Sequence, residues 1–95
     1  MPSVQTSIQV RNIAAQTYEV TVVGPRTTVH RVRAAPPYVA KLARPGESAE
    51  GLIGRSFEFL LAREPNTSIL AEFELSTIGR YFPEFEKVIT SDSSA

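Results

Sequence analysis

The side chains able to do chemistry are few. The chain has one histidine, His30, one aspartate, Asp92, and no cysteine. A serine–histidine–carboxylate relay would need Asp92, or a glutamate in its place, beside His30. His30 instead falls mid-way along a β-branched stretch, on its apolar side, and reads as a buried structural histidine. Glu72 with Glu74 and Glu84 with Glu86 form close carboxylate pairs. Acid–base work by such pairs needs a cleft that splits their pKa values. Beside short helices in a chain of 95 residues they read as solvated charges. One histidine without cysteine does not build a typical zinc site, and no segment alternates oxygen ligands as a calcium loop does. Gly24, Gly46, Gly51, Gly54 and Gly79 form neither a GxGxxG nor a Walker pattern for phosphate. The expectation is therefore no catalytic, cofactor-binding or metal-binding residue.

Arginine is the remaining chemistry. Residues 1–46 hold six basic side chains against Glu19 alone, whereas residues 47–95 hold four against nine acidic ones, so the net charge of zero hides a split. Complementary halves of one fold explain such a split, and so does a basic binding face. Arg11, Arg26, Arg31 and Arg33 are the candidate partner-binding residues, because each guanidinium is planar, permanently charged and forked for phosphate or carboxylate. An acidic protein or a nucleic acid would suit that cluster. No aromatic accompanies it for stacking bases, and the pI of about 6.6 lacks a strong basic excess.

The elements that must position these groups are organised around one helix. In SAEGLIGRSFEFLLAREPNTSIL, steps of three and four from Ala49 collect Leu52, Ile53, Ser56, Phe57, Leu60 and Leu61 into one wide apolar stripe. Glu50, Arg55, Glu58 and Arg63 fall outside it and are expected to face water. Ser48 supplies a cap for the free N–H groups of the first turn, and Pro65 stops the helix. Gly51 and Gly54 lower helix propensity, which suggests a close approach of another element such as the sheet.

Ahead of that helix the chain reads as strands. Val4, Thr6, Ile8 and Val10 alternate over 4–10, and Asn12 to Gln16 reads as a connection. Tyr18–Val23 and Thr27–Ala34 flank the turn Gly24-Pro25-Arg26. A three-residue loop pairs Glu19 with Arg31 and gathers Tyr18, Val20, Val22, His30, Val32 and Ala34 on one face. The alternative register would push Arg31 and Arg33 onto the apolar side, since a one-residue slip flips every side chain. Arg11, Arg31 and Arg33 then share the outer face, with Arg26 at the hairpin tip.

Pro36 and Pro37 end the last strand and open a short helix over Tyr38–Ala43. Beyond Pro65, Asn66 or Thr67 caps a short helix containing Ile69, Leu70 and Phe73. Ser76 caps another, with Ile78, Tyr81 and Phe82 on one side and Pro83 as its limit. Phe85, Val88 and Ile89 follow, and the polar stretch Thr90 to Ala95 reads as a frayed tail. Tyr81, Phe82 and Phe85 are the candidate apolar interaction patch.

The segment Arg63-Glu64-Pro65, Ser68-Ile69-Leu70, Leu75, Ile78 and Arg80-Tyr81-Phe82-Pro83-Glu84 resembles the C-terminal portion of a small, uncharacterised bacterial protein family. The resemblance covers about the last third of the chain and implies a bacterial, cytoplasmic protein, with no activity to transfer.

The expected architecture is one α+β domain spanning 1–95. An antiparallel sheet of two to three strands in 4–34 is covered by a central helix and short helices in 37–89, ahead of the tail at 90–95. No apolar run approaches the roughly 20 residues of a membrane span. The opening MPSVQTSIQV lacks the basic-then-apolar order of a secretory signal. The expected function is a non-enzymatic protein-interaction or accessory module, acting through the arginine face or the apolar patch. Its partner would be another protein or a second copy; the alternative is a nucleic-acid-binding accessory protein.

Overall fold

The computed structural model describes residues 7–91 and has an α+β architecture, a four-stranded sheet with helices on one face. The strands are β1 (Ser7–Ala14), β2 (Thr17–Val23), β3 (Thr28–Arg33) and β4 (Glu72–Glu74), in the order β1-β2-β3-β4. The helices are α1 (Pro36–Leu42), α2 (Ala49–Leu61), α3 (Thr77–Tyr81) and α4 (Phe85–Thr90), with a single 3-10 turn at Asn66–Ser68.

β1, β2 and β3 form an antiparallel meander, with Glu19 opposite Arg31 and Val20 opposite His30 as the apolar alternation requires. Val20, Val22, His30, Val32 and Ala34 are all buried. β1 is longer at its C-terminal end than its alternation suggests. It runs through Asn12 and Ile13, which the sequence reads as a connection, and turns at Ala15-Gln16 with Gln16 at φ 62°. The register shifts between Asn12 and Ala14, and the Asn12 amide bridges the irregularity by donating to the carbonyls of Ala14 and Thr17. That slip ends the apolar/polar alternation there. The expected positions Val4 and Thr6 lie outside the described residues.

The fourth strand corrects the expectation of two to three. Ile69, Leu70 and Phe73 do not share a helix: after the 3-10 turn the chain runs extended, and β4 pairs parallel to β3. The Arg31 N–H donates to the Ala71 carbonyl at 2.7 Å and the Leu75 N–H to the Arg33 carbonyl at 2.8 Å. A chain of polar groups, part-buried around His30, fixes the approach. Asn66 Nδ2 donates to Thr28 Oγ1 (2.9 Å) and to the Arg26 carbonyl (2.6 Å). His30 Nδ1 lies 2.7 Å from the Leu70 carbonyl and its Nε2 2.8 Å from Thr28 Oγ1. A carbonyl only accepts, so Nδ1 carries a proton and donates it to Leu70, while Nε2 pairs with the Thr28 hydroxyl. His30 is 2% exposed with both ring nitrogens engaged, the structural histidine that its place on the apolar side indicates.

α2 lies across the inner sheet face. Ser48 Oγ accepts from the Gly51 N–H at 3.0 Å, the cap expected of it. Leu52, Ile53, Ser56, Phe57 and Leu60 are buried, and the Phe57 ring sits 5.3 Å from His30 and 6.0 Å from Phe73. Fully burying a ring of this size contributes about 2–3 kcal/mol. The Ser56 hydroxyl donates back to the Leu52 carbonyl, so its burial leaves no polar atom unsatisfied.

Three expectations for α2 change. Phe59, off the stripe, is buried as well, because α3 and α4 cover a second side of the helix. Its ring meets Phe82 at 5.8 Å and Phe85 at 5.1 Å, edge to face. Arg55 does not face water. Its guanidinium grips Glu47 with bonds of 2.8 and 2.7 Å and donates a third, of 2.8 Å, to the Ile89 carbonyl, tying the α1–α2 loop to α4. Arg63, by contrast, is exposed as expected, with its guanidinium stacked 3.6 Å from the Phe59 ring centre and reaching Glu84. The helix glycines do not meet the sheet. A Cβ at Gly51 would meet Glu47 Cγ at 3.1 Å, and one at Gly54 would meet nothing within 4 Å.

α1 is fastened to α4 at one point. The Tyr38 hydroxyl donates to Glu86 Oε2 at 2.7 Å, and Lys41 Nζ lies 3.1 Å from Glu86 Oε1. Burial and the carboxylate raise the Tyr38 phenol well above its ordinary value. The same hydrogen bond, then Lys41, holds Glu86 below the usual carboxylate range.

Candidate interaction surface

The register that buries Val20 and Val32 turns Glu19, Arg31 and Arg33 outward, and it places Arg11 beside Glu19 across the β1–β2 pair. Three of the four candidate arginines therefore share the open sheet face; Arg26 lies in the β2–β3 loop. β4 changes the character of that face. It sets Glu72 beside Arg31 and Glu74 beside Arg33, so one row across the sheet reads Arg11, Glu19, Arg31, Glu72. Arg11 binds Glu19 at 2.9 Å and Arg33 binds Glu74 at 2.8 Å. The face is a checkerboard rather than a basic patch. Exposed pairs like these contribute about 0–1 kcal/mol each. Their larger effect is to cancel, at short range, the field that a phosphate backbone would meet.

The C-terminal patch divides. Phe85 is fully buried against Phe59, because α4 begins at Phe85 and turns it inward; it leaves the candidate patch. Phe82 is half-buried, one edge on Phe59. Tyr81 stands 66% exposed, and Leu70, which sequence reasoning placed inside a helix, is 48% exposed. Between them opens a groove of about 430 Å³, lined by Leu60, Glu64, Leu70, Phe73, Tyr81 and Phe82 among others. Three structural facts build it. The α2 C-terminus ends at Leu61 ahead of Pro65, the His30 contact holds the Leu70 carbonyl, and Pro83 limits α3. Much of the Arg-Glu-Pro, Ser-Ile-Leu and Arg-Tyr-Phe-Pro segment surrounds it.

Among the described residues, Glu64 is the one ionisable side chain in the wall besides the Tyr81 phenol. Among the described residues its carboxylate has no ion pair or hydrogen bond, whereas Glu19, Glu47, Glu74, Glu84 and Glu86 each hold a cation. The groove thus offers apolar walls and one uncommitted negative charge. Sequence reasoning missed Leu70 and Glu64 as surface groups. The adjoining Pro65 was the available signal, since a helix stop beside an apolar run forces that run to start a new element.

Among the described residues no three of His, Asp or Glu come together as a metal site. No helix there is long and apolar enough to cross a membrane. Comparisons with protein-family models, with curated proteins and with solved structures return no match, so the geometry of this surface carries the functional reading.

Proposed function

We propose that this domain is a non-enzymatic protein-interaction module that takes an apolar side chain of a partner protein into the groove between Leu70 and Tyr81. The observation that supports the reading is the open apolar groove itself. Its flanking Leu70 and Tyr81 side chains are large and exposed, and the Leu70 backbone is held by the buried His30. Glu64 in its wall favours a partner that brings a cation with the apolar group. The alternative, nucleic-acid binding through Arg11, Arg26, Arg31 and Arg33, is disfavoured by the glutamates interleaved with three of them.

The test is a photo-cross-linking amino acid placed at Leu70 and, separately, at Val88, which is similarly exposed at 45% but lies away from the groove. In cells of the source organism the Leu70 probe should capture a defined protein that the Val88 probe does not. Tyr81→Ser in the Leu70-probe protein should reduce that capture. Equal capture from both positions would refute the groove as the site. Material captured only without nuclease, and lost with Arg31→Glu, would favour the nucleic-acid reading instead.

A further inference from the structure

Building on the interaction reading, we infer that the partner segment is an extended strand alternating basic and apolar residues, which joins the sheet beside β4. β4 is the terminal strand of the sheet. In a parallel pair successive residues bond alternately to either side. The bonds from Arg31 N–H to Ala71 and from Leu75 N–H to Arg33 show which set faces β3: residues 71, 73 and 75. The N–H and C=O groups of Glu72 and Glu74 therefore point away from the sheet. Among the described residues nothing bonds them. Those backbone groups form a template for strand addition.

The side chains of β4 say what such a strand must carry. Phe73 points to the helix side and lines the groove, while Glu72 and Glu74 stand on the outer face. A strand laid in register along β4 places one residue over the groove, beside Phe73, Leu70 and Tyr81. Its two neighbours fall beside Glu72 and Glu74. On its closed side β4 already has such a neighbour, since Arg31-Val32-Arg33 runs alongside Glu72-Phe73-Glu74. Only Arg33 forms an ion pair there, with Glu74; Glu72 has none among the described residues. The open side repeats the same demand, basic–apolar–basic, and the uncommitted Glu64 adds to it. A second copy of this chain is a poorer occupant: paired β4 to β4 it would set Glu72 and Glu74 beside the same two glutamates, and like charges facing each other across a pair destabilise it. Its other terminal strand, β1, would add head to tail and leave both edges open for further copies, an assembly that does not close.

The test uses a fluorescent, end-capped peptide alternating arginine and valine, read by anisotropy and by amide NMR of the labelled protein. Two controls accompany it: the same peptide with N-methyl groups on the backbone nitrogens of one edge, and a glutamate–valine peptide. The arginine–valine peptide should bind, shift the Glu72 and Glu74 amides and slow their exchange. Both controls should bind at least about tenfold more weakly. Glu72→Arg should weaken binding by about tenfold or more, with an unchanged melt showing that this exposed position keeps the fold. Equal binding of the N-methylated peptide would overturn strand addition, leaving charge attraction alone. Equal binding of the glutamate–valine peptide would overturn the basic pattern. If no peptide binds while the Leu70 cross-link still forms, the strand inference fails and the interaction module stands. Loss of both would remove the two together. Concentration-dependent growth of the free protein into long oligomers would assign the edge to β1 of another copy and also overturn the inference.

Discussion

Removing Arg55 should cost this domain more than removing any other charged side chain. The Arg55 and Glu47 side chains are only 17% and 13% exposed. Arg55→Leu deletes two bonds to Glu47 and one to the Ile89 carbonyl, and it leaves the mostly buried Glu47 carboxylate without its guanidinium partner. Breaking one side of a buried pair costs about 3–5 kcal/mol. The residual exposure argues for the lower end, about 3 kcal/mol. For a domain of this size that corresponds to a fall in Tm of roughly 12–24 °C. Replacing both partners, Glu47→Leu with Arg55→Leu, leaves no stranded charge. It should cost less than the two single substitutions added together, by at least about 1 kcal/mol. Acid unfolding adds an independent readout. The Arg55 hydrogen bonds, helped by the Arg44 N–H, hold the Glu47 carboxyl below the usual carboxylate range. A depressed folded-state pKa means the stabilisation is complete above the unfolded value, about 4.3, and is lost as pH falls through the folded one. Glu47→Gln should therefore flatten the acid limb of the stability profile as well as lower its plateau. Urea or thermal melts of the five proteins, wild type included, between neutral pH and pH about 3 decide the matter. A single-substitution cost below about 1 kcal/mol, or strict additivity in the double variant, would refute the buried-pair argument.

Two further outcomes follow from neighbouring geometry. Gly54→Ala meets nothing within 4 Å and should stabilise the domain by about 1 kcal/mol. Gly51→Ala should give no such gain, because its Cβ would meet the Glu47 chain that Arg55 holds, 3.1 Å away; matched thermal melts compare the two. Tyr38→Phe removes the hydroxyl bond to Glu86. Because the folded phenol is raised, the wild type keeps this stabilisation in full below the ordinary tyrosine value, about 10, and loses it as pH climbs from there toward the raised folded value. The variant should start less stable at neutral pH and lose less between pH about 9 and 11, as followed by urea melts.

How much of this was legible depended on whether a constraint was local. The β2–β3 register could be read from sequence, because the wrong one puts Arg31 and Arg33 in the core. The face, cap and stop of α2 could be read for similar reasons, from the Leu52–Leu60 spacing, Ser48 and Pro65. β4 could not. Glu72-Phe73-Glu74 is too short to show a period, and it is a strand only because β3 offers it an open edge. Phe59 and Arg55 lie off the apolar stripe, and their burial depends on α3, α4 and the Glu47 loop, remote in sequence. The arginine face was read correctly as a place, but its charge was not. The glutamates that offset it arrive from the other half of the chain, across a pairing between residues some forty positions apart. Of the apolar patch, Tyr81 and Phe82 stay at the surface while Phe85 turns inward.

The parallel pairing of β3 with β4 also has a consequence in time. The β1–β2–β3 meander joins neighbours through short turns, so its contacts close cheaply. Bringing β4 to β3 means closing the whole intervening segment, with α1 and α2 inside it, before any of its bonds form. Folding should therefore run from the meander and α2 outward, with β4 docking late. The strand that completes the sheet is then the first to open again in the native protein. The Phe73 and Leu75 amides should lose deuterium protection by local fluctuation, while those of Val20 and Val22 wait for the whole domain to unfold.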